Sequence, residues 1–323
     1  MIARCLGHGL RTASKRPALV SILWAANAAL GLLATIPVWA WWRDGFAPAP
    51  AADTLLDGFN FATYFDLAHY NRSAVTGSFY ANVVALVVTA WVLGALAFGG
   101  VLEILRATDG RTFMHRFFRG AGHFFGRFLR LAVYTAISAV VVVGLVAAVL
   151  VPLLKPLDES AWEPGWIVAI AIRAVVIGAV LLYFVLVLDY ARIRVAINDT
   201  RRVFVTWFTS LGFVVRHLAG TYAIAVAFGV LVGVLLFLYL VYCSVTPVST
   251  TTLILLLLVV QQAVMWLRTG TRIAQIAAEI EFFESVRVAV PTAVPEPPAT
   301  APPAPDTVKA ESVVDNAEVP QPQ

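Results

Sequence analysis

The chain reads as an all-α protein, a polytopic bundle of six transmembrane helices with interfacial amphipathic helices between them. Three observations predict this. Hydrophobic residues make up 60 % of the 323 and charged residues only 13 %, whereas a soluble domain carries roughly 25 % charged residues. Too little polar surface exists to cover a water-soluble globule. Six apolar runs are each long enough to cross a hydrocarbon core of ~30 Å, which takes about 20 residues of helix. Positive charge alternates with those runs. Of the 23 Lys and Arg, nineteen fall in the N-terminal segment, the second and fourth connections and the C-terminal segment. Only Arg43, Arg72 and Lys155 fall in the other connections, and Arg173 lies inside a run. Short loops rich in Lys and Arg stay on the cytoplasmic side. The pattern therefore predicts a bacterial inner-membrane protein with both termini in the cytoplasm.

The organisation follows in chain order. Residues 1–16 form a basic cytoplasmic segment, 17–288 the six-span domain, and 289–323 a Pro-rich cytoplasmic tail. Span 1 runs from about Pro17 to Trp42 and reads as an uncleaved anchor. A cleaved signal peptide is the alternative, but the run exceeds the usual apolar region of about 7–15 residues. Spans 2 to 6 cover Phe79–Leu105, Leu131–Leu154, Trp166–Asp189, Leu218–Tyr242 and Thr250–Leu267. Trp41, Trp42, Trp162, Trp166, Tyr239, Tyr242 and Trp266 sit near span ends as an aromatic belt would. Small residues let helices approach closely in lipid, so Ala225/Gly229/Gly233, Ala174/Gly178 and Gly144/Ala148 are the expected packing faces. Gly229 and Gly233 also fit a dimer face.

Two connections carry amphipathic patterns. Residues 111–130 put Phe113, Phe117, Phe124 and Phe128 on one helical face, and His115, Arg116, Arg119, His123, Arg127 and Arg130 on the other. Residues 201–216 group Phe204, Trp207, Phe208, Leu211 and Val215. Both read as elbows lying on the inner leaflet, with the aromatic face in lipid. Arg116, Arg119, Arg127, Arg130 and Arg216 are then candidate contacts to anionic lipid heads. Membrane lipids are the expected partners, and the basic balance (net charge +4) is read as attraction to them rather than to nucleic acid.

Three ionisable residues are candidate intramembrane functional groups: Glu103, Arg173 and Asp189. Glu103 and Asp189 each stand three residues before an arginine, Arg106 and Arg192, in a repeated V-L-acid-x-x-R. At that spacing each pair shares a helix face, which suits a structural ion pair as well as a proton or substrate role. With Asp109/Arg111 against Asp199/Arg201, the repeat suggests two units in parallel orientation, an arrangement found in transporters. An arginine deep in a bilayer is a functional candidate by default. Arg173 can instead snorkel outward to Asp158, Glu159 or Glu163.

The outer connection 43–78 alternates acids (Asp53, Asp57, Asp66) with aromatics and suggests a surface helix. Arg272 to Val288 continues span 6 as a mixed-charge cytoplasmic helix with Glu279, Glu281 and Glu284, and the tail from Pro291 holds nine of the 17 prolines. It reads as a disordered, partly polyproline II tether able to dock a proline-binding protein. No catalytic motif, metal-ligand spacing or nucleotide fingerprint is found, so no cofactor is expected. The two cysteines, Cys5 and Cys243, fall on opposite sides of the bilayer and offer no disulfide.

Gly99-Gly100-x-Leu102-x-x-Leu105, Phe113, Phe117-Phe118, Phe124-Phe125-Gly126-Arg127-Phe128-Leu129-Arg130-Leu131, Asp189-Tyr190-Ala191-Arg192-Ile193 and Arg216-His217 together resemble a group of bacterial six-span inner-membrane proteins. They are more faintly similar to the membrane domain of glycerophosphodiester phosphodiesterases. The likeness covers roughly Asn60 to Val288. The group has no agreed activity, so the resemblance implies topology and not chemistry. The residues point first to a non-catalytic scaffold or accessory subunit. A transporter or lipid-handling protein is the alternative and a membrane enzyme the third.

Overall fold

A computed structural model describes residues 1–45, 72–106, 112–158, 164–246 and 250–289. These residues form eight helices: α1 (Ile2–Ser14), α2 (Pro17–Gly45), α3 (Arg72–Arg106), α4 (Phe113–Asp158), α5 (Gly165–Asn198), α6 (Val203–Arg216), α7 (Leu218–Val245) and α8 (Thr251–Ala289). No strand occurs among the described residues. Six of the helices, α2, α3, α4, α5, α7 and α8, are long and apolar enough to cross a bilayer. The chain is an all-α, multi-pass membrane bundle. The acids and aromatics expected at 46–71, the acids Glu159 and Glu163, and the Pro-rich tail from 290 lie outside the described residues.

The basic segments gather at one end, the base. Arg16 donates to the Ile104 carbonyl at 2.6 Å, joining the start of α2 to the end of α3. Arg127 of α4 meets Asp199 after α5, and Arg287 of α8 donates to Asn198 at 3.2 Å. Arg4 of α1 pairs with Glu281 of α8 at 3.7 Å. Most of the buried side chains also lie here, among them Leu19, Leu102, Phe117, Phe128, Tyr190, Ile193, Ile273 and Phe282. The spans above the base are mostly exposed on the protein's own surface, as Val140, Leu145, Val175, Phe237 and Val259 show. Lipid is as apolar as these side chains, so the hydrophobic effect does not draw the spans together within a bilayer.

Four features depart from the expectations or add to them. First, residues 113–130 are not a separate interfacial elbow. They open the 46-residue α4, which runs unbroken into its span. Phe117, Phe124 and Phe128 are buried, and Phe128 meets Phe98 of α3 edge-on at 6.0 Å, while Phe118 faces outward. An aromatic stripe has the same period whether lipid or another helix covers it. Here α3 covers it.

Second, close packing uses other glycines. A Cβ on Gly99 would come within 2.8 Å of the Gly120 carbonyl, one on Gly120 would overlap Glu103, and one on Gly9 would overlap the Ala274 carbonyl. Gly144, Gly178, Gly229 and Gly233 meet nothing within 4 Å. Third, the N-terminal segment is a helix. Cys5, Gly9 and Ala13, four residues apart, form its buried stripe against α8. Fourth, residues 272–283 of α8 are core, with Ile273, Ala274, Ile276, Ala277, Ala278, Phe282 and Phe283 buried.

Candidate functional site

The densest charge cluster lies in the base between α5 and α8. Asp189 is 1 % exposed. Arg272, one turn past the apolar run of α8, donates to its two oxygens from Nη2 at 2.9 and 2.7 Å. Arg192 stands three residues on, with Nη1 4.0 Å from Asp189 Oδ1. Its guanidinium lies over Phe98 of α3 at 4.8 Å and toward Phe128 of α4 at 5.9 Å. A cation over an aromatic face is attracted by the ring quadrupole, most strongly away from water. Glu279, fully buried two turns beyond Arg272, accepts from Gln275 Nε2 at 2.8 Å through Oε1. Glu279 Oε2, Tyr190 OH and Arg192 Nε are buried without a hydrogen-bond partner among the described residues.

Burying charge is costly unless it is paired. Two acids and two arginines drawn from α5 and α8, and roofed by rings from α3 and α4, therefore constrain four helices at once. The arrangement holds geometry.

The predicted residues divide between several places. Asp189 belongs to the cluster, but its closer partner is Arg272 rather than Arg192. Glu103 is half-buried against Gly120 and does not pair with Arg106, which instead donates to the Ala196 carbonyl at the end of α5. Arg173 lies at the far end of α5, with Nη1 3.4 Å from Asp158 Oδ1 and Nη2 on Oδ2. It thus reaches one of the outer acids that snorkelling would use. Arg127 donates to Asp199 at 2.5 Å, and His123 lies 3.2 Å from the same oxygen. First the Arg127 hydrogen bond and then the His123 contact hold the Asp199 carboxyl below the usual carboxylate range. Arg116 is half-buried, and Arg119, Arg130 and Arg216 are exposed.

Sequence reasoning missed Arg272 and Glu279. The signal was present: Ile273-Ala274, Ile276-Ala277-Ala278 and Phe282-Phe283 mark an apolar face with small residues, and Glu279 stands beside it. The mixed charge of the same stretch reads only as a cytoplasmic continuation of span 6, with no buried face assigned.

A second feature is an apolar groove of about 790 Å³ between α4, α5, α6 and α7, lined by Tyr134, Ser138, Val142, Tyr183, Phe204 and Trp207 among others. Its Tyr183 and Tyr222 hydroxyls and its indole N–H are satisfied within the wall. Tyr222 OH donates to the Ala179 carbonyl at 2.8 Å, Tyr183 OH to the Leu211 carbonyl at 3.4 Å, and Trp207 Nε1 to Thr135 Oγ1 at 3.0 Å. Among the described residues no three His, Cys, Asp or Glu side chains gather as a metal site. No family model, no curated protein and no solved structure matches the chain.

Proposed function

We propose that this is a non-catalytic scaffold or accessory subunit of the bacterial inner membrane, with both termini and the base in the cytoplasm. The orientation rests on the charge pattern, reinforced by the gathering of Arg4, Arg16, Arg106, Arg127 and Arg287 at one end. The observation that carries the scaffold reading is the Asp189–Arg272 pair with its neighbours. It fastens the cytoplasmic half of α8 to the bundle, so the Pro-rich segment that follows leaves a rigid platform. Between Arg173 and Asp189 the whole of α5 is without an ionisable carboxylate or base, and Arg173 is already engaged by Asp158. Neither feature favours a proton or solute relay along that helix.

Affinity capture in mild detergent tests the reading. The full chain retains a stable protein partner, and replacing Pro297, Pro298, Pro302 and Pro303 by alanine releases it. A solute flux in vesicles that disappears in a folded Arg173→Ala variant would establish transport instead. Thiol labelling of Asp57→Cys and Pro303→Cys on opposite faces checks the topology.

A further inference from the structure

We infer that the groove between α4, α5, α6 and α7 seats one acyl chain of an anionic phospholipid whose phosphate is held by Arg130, Arg201 and Arg202. The inference stands apart from the scaffold reading, since a lipid can be retained whether or not a protein partner is.

Depth comes first. From Tyr134 to Val142 the groove follows α4 for about 12 Å at 1.5 Å per residue, within the half-thickness of a ~30 Å hydrocarbon core. Its lower edge is the start of the third span. The groove thus occupies the leaflet nearest the base. A volume of about 790 Å³ lies in the ordinary range of ligand sites. With the Tyr183 and Tyr222 hydroxyls and the indole N–H satisfied by the wall, the surface it offers is hydrocarbon apart from Ser138 and Tyr134.

Charge then selects the lipid. Two contacts bring α4 alongside the entry to α6: Arg127 on Asp199 at 2.5 Å, and the Tyr134 ring edge-on to Phe204 at 5.8 Å. Arg127, Arg130 and Tyr134 share one face of α4 by their three- and four-residue spacing. Arg130 lies between the two contacts on one side, and Arg201 and Arg202 lie between them on the other. Asp199 is taken by Arg127. The remaining three arginines are exposed, with no acidic partner among the described residues. A hydrocarbon slot that ends in three free guanidiniums at headgroup depth complements an acyl chain carrying a phosphate with net negative charge. It does not complement a zwitterionic head, whose cationic group would meet the same arginines.

The test uses the full-length protein in mild detergent, mixed with micelles holding equal amounts of phosphatidylglycerol and phosphatidylcholine and read by native mass spectrometry. The wild type should retain one phosphatidylglycerol after the other lipids are stripped. The surface variant Arg130→Gln/Arg201→Gln/Arg202→Gln should lose that preference by on the order of 100-fold, since each of the three arginines near an anionic head is worth about a fivefold factor. Ser138→Trp, which fills the groove without touching the arginines, should lose retention of both lipids. Circular dichroism and gel filtration confirm that both variants fold. Equal retention of the two lipids by the wild type would overturn the inference, as would an unchanged preference in the triple variant. So would a lipid-free dimer that Ser138→Trp dissociates, which would assign the groove to a second copy.

Discussion

Replacing Arg272 by glutamine removes the guanidinium that holds both oxygens of Asp189. The carboxylate is 1 % exposed and would keep only Arg192, 4.0 Å away and with its guanidinium turned over Phe98. Breaking a buried ion pair by deleting one partner costs about 3–5 kcal/mol. The Arg272 side chain is 40 % exposed, so water can partly replace it, and the lower end, about 3 kcal/mol, is expected. That is roughly a 100-fold shift in the folded-to-unfolded ratio. Asp189→Asn should cost less, about 1–2 kcal/mol, because the amide oxygen still accepts one hydrogen bond. The informative variant is the double one. It removes one acid and one base, leaving Glu279 and Arg192, so its cost should fall short of the sum of the singles by at least about 1 kcal/mol. Groups in one ion network couple by about 0.5–3 kcal/mol. Unfolding in mixed micelles titrated with dodecyl sulfate and followed by tryptophan fluorescence measures all four proteins. Additive losses, or a loss below about 1 kcal/mol for Arg272→Gln, would refute the claim that the cluster fastens α8 to α5.

The same unfolding assay separates packing glycines from exposed ones. Gly120→Ala and Gly9→Ala should each destabilise by about 1–3 kcal/mol, because the added methyl overlaps Glu103 or the Ala274 carbonyl. Gly178→Ala and Gly229→Ala, where nothing lies within 4 Å, should be neutral or slightly stabilising through helix propensity. Acid titration tests the Arg127–Asp199 contact. The folded carboxyl is held low, so its contribution is fully present above the unfolded value of about 3.9 and is lost as pH falls through the depressed folded value. Wild type should exceed Asp199→Asn in stability at pH ~6, and the two should converge below pH ~3. Asparagine accepts the left-handed backbone of this position (φ 45°, ψ 36°), so the substitution tests charge and not strain.

The spans were legible because their signal is long and redundant: about 20 apolar residues each, flanked by an alternating charge count. Their ends were less so. α3 begins at Arg72, and α4 begins at Phe113, well before the apolar run at Leu131. Hydropathy reports where a bilayer could lie, while a helix continues for as long as its backbone is satisfied and its face is covered. Partner identity was the harder part. The acid-x-x-Arg spacing at Asp189 correctly put Arg192 on the same face, but Arg272 is 83 residues away in sequence. No local rule ranks a distant partner. Glu103 shows the same limit from the other side. Its spacing to Arg106 is identical, yet Arg106 finds a free carbonyl at the C-terminal end of α5, a group unsatisfied by the helix itself and ready to accept.

The two repeated arginines also explain how the base is held together. Arg106 of α3 crosses to Ala196 of α5, while Arg192 of α5 crosses to Phe98 of α3 and Phe128 of α4. Each helix pair is thus pinned by a side chain from the other, whatever the origin of the repeated motif. Water makes this possible only at the base. There, burial of Phe117, Phe128, Tyr190 and Phe282 removes apolar surface from water and supplies the free energy to bring guanidiniums and carboxylates together. A few residues further along, the surroundings are hydrocarbon, the same burial yields almost nothing, and the spans diverge enough to leave the α4–α7 groove open. The base sets the spacing of the spans, and that spacing sets the width of the groove. Loosening the Asp189–Arg272 pair should therefore weaken lipid retention about 8–15 Å away along α5, where Ala179 to Phe184 line the groove, without altering any residue that lines it. If Arg272→Gln lost stability but kept phosphatidylglycerol as tightly as the wild type, the groove would have to be shaped by α6 alone, through the Trp207–Thr135 and Tyr183–Leu211 hydrogen bonds.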